Sequence, residues 1–364
     1  MKLLVDCHGF DSRISQGITS YIKGIYTILP KINKEIEYYF VATDIDNIMS
    51  IFGEADNIHY IPLTSKNRIH RLFFEIPNII KKNGIDIAHF QYVAPLIKNC
   101  KTIITLHDVL FLDYPQYFPT SYKLSKSFPF KLSAKRADLL CTVSEYSRKR
   151  ISAHYGIEES EIIVTPNAVD EEFYNVEGEK PTDFPDKYIL YVSRVEPRKN
   201  HKIIVEAFSR LKLAEKGYKL VMIGRETVAT PDIHLALEGL PFLDRNAIMM
   251  IPQVSFSELK LWYKYADLFL YPSIAEGFGI PPIEAGATGI PVISNNSTAM
   301  SDFSFFGDNL IDIFNKGLLD KRILENLKRR DDNRLSDVSK QIRTTYNWRL
   351  IAEKFNNELI KHFR

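Results

Sequence analysis

Two glutamates, Glu276 and Glu284, stand eight positions apart with Gly277, Phe278, Gly279, Ile280 and two prolines among the residues between them. Glycines ahead of a helix leave backbone N–H groups open to an anion, and the helix dipole adds attraction. A proline at the first helical position puts the helix start near Pro281 or Pro282. Glu276 then lies in the loop and Glu284 in the first turn, where both can face one ligand. A carboxylate accepts two hydroxyl hydrogen bonds, which suits a sugar for Glu276 and a ribose diol for Glu284. The plainer reading is a dipole-complementing Glu284 and a solvated Glu276; the glycines and the strand–loop–helix context favour the ligand. Arg194, Arg198 and Lys199 form a second cluster, in SRVEPRKN. Two of them can clamp a diphosphate, Arg as a fork and Lys as a point charge, or the segment is a solvated basic turn paired with Glu196. His107 follows an apolar strand directly, at the edge where a ligand would sit, or is hydrogen-bonded locally to Asp108.

Other chemistries find little support. The remaining eight histidines show no paired metal-ligand spacing. Asp44-Ile45-Asp46 is a D-x-D, a metal motif of one glycosyltransferase fold, but chance matches to it are frequent. No G-x-G-x-x-G follows a strand, and no Walker A sequence occurs, which argues against nicotinamide enzymes and P-loop ATPases. Cys7, Cys100 and Cys141 lie too far apart for a zinc or redox pair, and three cysteines make no disulfide framework. A reducing cytoplasm is the expected compartment. The start MKLLVDCHGF lacks the apolar stretch of a signal peptide, and no run reaches the roughly 18 apolar residues of a membrane span.

The elements that must position these side chains alternate. Strands are expected at 2–6, 36–43, 86–90, 102–106, 139–143 and 162–165, with helices at 18–29, 68–83 and 144–155. The strands are β-branched and continuously apolar, as in a parallel sheet covered on both faces. Residues 175–187, NVEGEKPTDFPDK, read as a linker. The alternation restarts with strands at 188–193, 219–223, 247–251, 268–271 and 291–294 and helices at 200–212, 257–265 and 282–288. From Asn315 the chain is helical, and Trp348, Ile351, Ala352, Phe355 and Leu359 fall on one face. The fold class is α/β with two Rossmann-like domains facing across a cleft. The expected domains are 1–174 and 188–346, the helix 347–364 packing back on the first. The length of 364 residues agrees, since one core stops growing near about 250–300 residues.

The chain resembles glycosyltransferases of family 4, in the retaining GT-B superfamily, nearly end to end. EGFGIPPIE carries the Glu-x7-Glu pattern, SRVEPRKN resembles the Gly-Arg…Lys donor-phosphate loop, and TLHD the Thr-His-Asp stretch of the acceptor domain. TPNAVD, QGITSY (16–21) and YNWRLIAEKF resemble the Pro-Asn-Gly-Val-Asp stretch, the first glycine loop and the closing helix. The subset with Pro-Arg-Lys-Asn and Gly-Phe-Gly-Ile-Pro is similar to mannosyltransferases of bacterial surface-polysaccharide assembly. The resemblance implies that Gly277, Phe278, Gly279 and Ile280 offer backbone N–H groups to the donor sugar and diphosphate. Glu276 would hold a sugar hydroxyl, Glu284 the ribose, and Arg194 and Lys199 the leaving diphosphate. His107 would sit by the transferred sugar, and Gly17 would let the first loop approach the donor. No cofactor or metal is implied; the co-substrate is a nucleotide sugar, GDP-mannose being the first candidate. The acceptor is a growing glycan, lipid-linked in an O-antigen, capsule or exopolysaccharide. Three departures stand out: Ser193 and Ala168 replace family glycines, and 297–312 lacks the Glu-Val-x-Gly follow-on.

Charge separates the competing readings. Lys+Arg 47 against Asp+Glu 45 gives +2, so no global excess points to nucleic acid. Residues 57–150, however, carry 15 basic and 6 acidic side chains, a local +9. There Lys66, Arg68, Arg71, Lys123, Lys126 and Lys131 interleave with Phe73, Phe74, Tyr122, Phe128 and Phe130. Such a surface suits anionic headgroups at the inner face of the cytoplasmic membrane; solvated helix faces are the simpler alternative. A synthase with a small soluble acceptor, or a non-catalytic nucleotide-sugar-binding subunit, are the other functional readings.

Overall fold

Two parallel sheets organise the computed structural model, which describes residues 1–12 and 17–364. The first sheet comprises β1 (Lys2–Asp6), β2 (Glu37–Ala42), β3 (Ile58–Pro62), β4 (Ile87–Gln91), β5 (Lys101–Thr105), β6 (Leu139–Thr142) and β7 (Ile162–Val164). Their order is β3-β2-β1-β4-β5-β6-β7, all parallel. The second comprises β8 (Lys187–Val192), β9 (Tyr218–Ile223), β10 (Ile248–Ile251), β11 (Leu268–Tyr271), β12 (Val292–Asn295) and β13 (Leu310–Ile311), ordered β10-β9-β8-β11-β12-β13. Each sheet reverses direction of growth once, between β1 and β4 and between β8 and β11. Ligands of doubly wound sheets bind outside the strands' carboxyl ends at that reversal.

The expected strands recur within a residue or two, because central parallel strands are apolar on both faces and the signal is strong. β1, β4 and β6 are buried almost throughout. Several elements escaped the sequence, among them the helices Ile45–Phe52 and Pro231–Glu238 and the short β13. β3 is a half-exposed edge strand, and the helix Thr120–Arg136 contains Pro129 and no clear apolar face. The expected helix 68–83 forms, with a π turn at Arg71–Glu75.

Contacts divide the chain into residues 1–168 with 346–364, and residues 169–345. The stretch read as a linker is therefore different in kind: it packs within the second unit. Phe173 meets Phe256 and Tyr263 edge-on at 5.6 and 5.7 Å, and Phe184 stacks on Trp262 at 3.6 Å. Lys264 donates to the carbonyls of Val176 and Gly178. Composition read those residues as polar, but aromatic anchors flank them. The final helix, Trp348–Phe363, lies in the first unit, where Phe355 stacks on His89 at 5.4 Å and Trp348 fills the space above Gly24. No helix among the described residues is long and apolar enough to cross a membrane.

Candidate active site

β11 ends at Tyr271, and the chain enters a buried loop that carries Glu276 back under the sheet edge. The Glu276 carboxylate accepts from four side chains: Lys199 Nζ, Arg198 Nη1 at 3.1 Å, Tyr271 hydroxyl at 2.8 Å and Ser273 hydroxyl at 2.6 Å. Its backbone N–H donates to the Thr298 hydroxyl. Burial alone would raise this carboxyl, but Lys199 and Arg198 override it and hold the group well below the usual carboxylate range. Burial pushes the Lys199 amine down to about 8 against the pull of Glu276, so it is still mostly charged at neutral pH.

Arg198 and Lys199 sit in a 3-10 turn, Pro197–Lys199, in the loop that follows β8, and both are buried. Arg198 also donates to the carbonyl of Ala275 at 2.7 Å and pairs with Glu196 at 3.1 Å. Arg194 differs: its side chain is half-exposed and meets Glu196 at 3.2 Å. The structure thus places Lys199 and Arg198 against Glu276, and Arg194 at the solvent side of the same loop. Close packing sets the loop's course. A Cβ on Gly224, at φ +150, would lie 1.9 Å from the Ser193 carbonyl oxygen. Ser193, which stands where the family has glycine, turns its hydroxyl onto the Arg194 carbonyl.

The helix after the loop opens at Ile280, one residue before the expected proline, with Gly279 at φ +100 as its uncapped N-terminus. Gly277 and Phe278 are buried beside it. Glu284 is half-buried on this helix and accepts from the Tyr263 hydroxyl at 2.9 Å. Burial, with Asp170 adding repulsion, raises its carboxyl to about 7. Residues 297–312, read as lacking the family's follow-on pattern, pack against this loop: Thr298 holds the Glu276 N–H, and Met300 and Phe303 lie 3.4 Å from the space a Gly279 side chain would need.

In the first unit His107 is buried and donates from Nε2 to Gln91 Oε1 at 2.7 Å, not to Asp108, which instead accepts from the Leu110 N–H. Gln91 joins it to His89, whose Nδ1 lies 2.7 Å from the Tyr26 hydroxyl. Burial pushes both imidazoles down to about 3, so they are neutral hydrogen-bonding groups. Gly17 begins the helix Gly17–Tyr26, and among the described residues a Cβ there would meet nothing within 4 Å. Gln16 lies outside the described residues. Asp44 caps the helix Ile45–Phe52 by accepting from the Asn47 N–H, a local role for the D-x-D. The basic surface needs correction: Arg71 and Phe130, expected outward, are buried at 5% and 3% exposure, because helix packing turns them inward.

Sequence reasoning missed Tyr271, Ser273, Tyr263, Thr298, Gly224 and Gln91. Hydroxyls near a carboxylate carry no spacing signal. Only Gly224, directly after a strand in MIGR, was findable as a close-approach glycine.

Residues 175–341 match the family described as Glycosyl transferases group 1, and residues 43–173 match Glycosyltransferase Family 4. The O-antigen chain mannosyltransferase RfbU of Salmonella typhimurium is 33% identical over 206 residues, 56% of this chain and 54% of RfbU. The chain covers 54% of the length of RfbU, and 30% and 55% of two other curated mannosyltransferases that it matches. A sucrose-phosphate synthase from Thermosynechococcus elongatus superposes with a TM-score of 0.77 at 16% identity, over 100% of this chain and 99% of that one. Anabaena HepE in complex with UDP-glucose gives 0.73 at 15% identity, over 99% and 100%. These likenesses show the GT-B fold of two Rossmann-like domains.

Proposed function

We propose for this chain, which belongs to the glycosyltransferases of group 1 and family 4 across 43–173 and 175–341, the retaining transfer of a hexose from a nucleotide sugar to a growing bacterial surface glycan. Mannose from GDP-mannose is the donor that the likeness to RfbU favours. The observation that carries the reading is the Lys199–Glu276–Arg198 network at the carboxyl ends of β8 and β11, beside a glycine-led helix N-terminus.

Departure of a nucleoside diphosphate develops negative charge. Lys199, Arg194 and the N-terminus of the helix Ile280–Ala287 are preorganised cations and dipoles for that charge, commonly the largest contribution to catalysis. Arg198 is a positioning residue that holds Glu276, and Glu276 orients a hydroxyl of the sugar. Glu284 takes the ribose diol. A carboxylate saturated by four donors is a poor nucleophile, which supports same-face displacement through an oxocarbenium-like state over a covalent glycosyl-enzyme. No metal step enters this reading, so activity is expected to survive EDTA. His107, neutral and fixed by Gln91, shapes the acceptor side.

Membrane association rests on the first unit. Ile69, Phe74, Leu124 and Phe128 are exposed among its lysines and arginines, a composition suited to anionic headgroups at the inner face of the cytoplasmic membrane. The test of the reaction is hydrolysis of a panel of nucleotide sugars, with the product's first-formed anomer read by NMR. GDP-mannose hydrolysed fastest with retention supports the proposal; inversion refutes the mechanism, and hydrolysis of none favours a nucleotide-sugar-binding subunit.

A further inference from the structure

The second reversal of strand order, between β1 and β4, carries a site of its own. A cavity of about 230 Å³ opens there within the first unit. Asp6 and Gln91, the last residues of β1 and β4, stand in its wall with Tyr92, and Arg68, Arg71 and Lys126 reach it from the two flanking helices.

Arg71 is the informative residue. It is 5% exposed, lines the cavity, and its buried Nε has no hydrogen-bond partner. Among the described residues that donor is unmet although the charge itself acts on the buried Asp6 carboxylate, and a buried donor without an acceptor is costly unless something completes it. Its place in the chain is irregular too, since it begins the π turn Arg71–Glu75, a feature frequent at functional sites. Tyr92 across the cavity holds φ +63, a left-handed conformation that a tyrosine adopts only when its surroundings impose it. Its ring stacks on Phe130 at 4.6 Å and leans on His107 at 5.5 Å.

Charge completes the argument. Three cations face one carboxylate, Asp6, which is already bonded to His8 Nδ1 at 2.9 Å. Among the described residues the lining therefore retains an excess close to two positive charges, the complement of a phosphate monoester dianion or a diphosphate. Burial and Arg71 push Arg68 down with Asp6 opposing, and burial and Arg68 push Lys126 down, as expected of cations that outnumber their counter-ion. The cavity is smaller than the roughly 300–1,000 Å³ of drug-sized sites, so it suits one compact charged group rather than an oligosaccharide. Gln91 belongs both to its wall and to the His107 hydrogen bond, which couples the cavity to the acceptor side.

We infer that Arg71, Arg68 and Lys126 form an anion subsite that takes a phosphate carried by the acceptor; its acceptor role rests on the glycosyltransferase reading above. A phosphorylated soluble sugar and a polyprenyl-phosphate lipid share this chemistry.

Calorimetric titration of the full chain with inorganic pyrophosphate tests it, in a Lys199→Met background that removes a donor-side cation. Binding that weakens roughly ten- to a hundredfold on Arg71→Met is expected for the loss of charge-assisted hydrogen bonds. Equal binding in both proteins, or none in either, overturns the subsite. Arg71→Met should also lose the pyrophosphate-induced rise in Tm; should it fail to fold once Asp6 loses this counter-charge, the half-buried Lys126→Met takes its place in the same titration. Glucose 1-phosphate and phosphatidylcholine vesicles carrying polyprenyl phosphate then separate the two sources. Arg71-dependent binding of either supports the acceptor role, and binding of neither overturns it. Donor hydrolysis by the wild-type chain reads the enzyme assignment separately: hydrolysis without pyrophosphate binding overturns the subsite alone, and Arg71-dependent binding without any hydrolysis supports the anion site and overturns the transferase.

Discussion

Glu276 and Glu284 carry the same carboxyl group eight residues apart, and their surroundings drive them in opposite directions. Two cations hold Glu276 ionised; burial with a single tyrosine hydroxyl leaves Glu284 near neutrality, at about 7 against a usual 4.5. For Glu284 the native state therefore binds the proton more tightly than the unfolded chain. The stability this contributes is fully present below pH 4.5 and is lost as pH rises through about 7. Glu284→Gln should accordingly gain Tm relative to wild type above pH 7 and not at acid pH. A ribose diol would donate to the carboxylate, so nucleoside diphosphate affinity should tighten as pH rises toward 7 in wild type, before Lys199 loses its charge near 8, and that rise should be missing in the variant; titration calorimetry across pH checks it. On the proposed reading Lys199→Met removes a charge that would meet the leaving group, and kcat/KM should fall about 10²–10³-fold. Arg198→Met should cost activity through a displaced Glu276, with Tm falling as well, because it strands a buried network rather than a ligand contact.

At the scale of elements, each unit has a close approach that only glycine permits. Gly224 lets β9 end against the backbone of Ser193, which aims the loop carrying Arg198 and Lys199. Here the clash of Gly224→Ala is with backbone, which cannot rotate away, so urea denaturation should show a loss of at least about 1–3 kcal/mol. Donor binding should weaken with it. Gly24 lies under Trp348, with the space for a Cβ only 2.1 to 2.3 Å from the indole ring. Gly24→Ala must lift the final helix off the helix Gly17–Tyr26. Overpacking of this kind costs about 1–3 kcal/mol, or a Tm drop of about 2–4 °C per kcal/mol in a unit of this size. Thr298 at φ +52 is the third device: it bends the chain after β12 so that its hydroxyl meets the Glu276 N–H.

For the whole molecule, charge is distributed by unit. The +2 total conceals the +9 of residues 57–150. Part of that excess is turned inward at Arg71, and part faces solvent beside Leu124 and Phe128. The outward part predicts flotation with vesicles containing anionic lipid at low ionic strength, lost as salt rises, since each cation near such a surface contributes about 1 kcal/mol and is screened beyond a Debye length. Flotation equal with neutral lipid would assign the binding to the apolar side chains instead.

The sequence by itself determined the α/β class, the strand positions and the glycine-led helix after β11. Each is written in neighbouring residues: continuous apolar runs for buried strands, and glycines and prolines for the turn. It also pointed to Glu276, Glu284, Lys199 and His107, because residues that follow a parallel strand arrive at the ligand edge of the sheet. Only the tertiary structure decided their partners. Arg198 rather than Arg194 meets Glu276 across 78 positions of chain, Gln91 rather than Asp108 holds His107, and Arg71 faces a cavity instead of solvent. Pairing and burial are properties of points brought together in space. Periodicity along the chain reports which way a single element faces only when its apolar stripe is clear, and the helix Thr120–Arg136 has none.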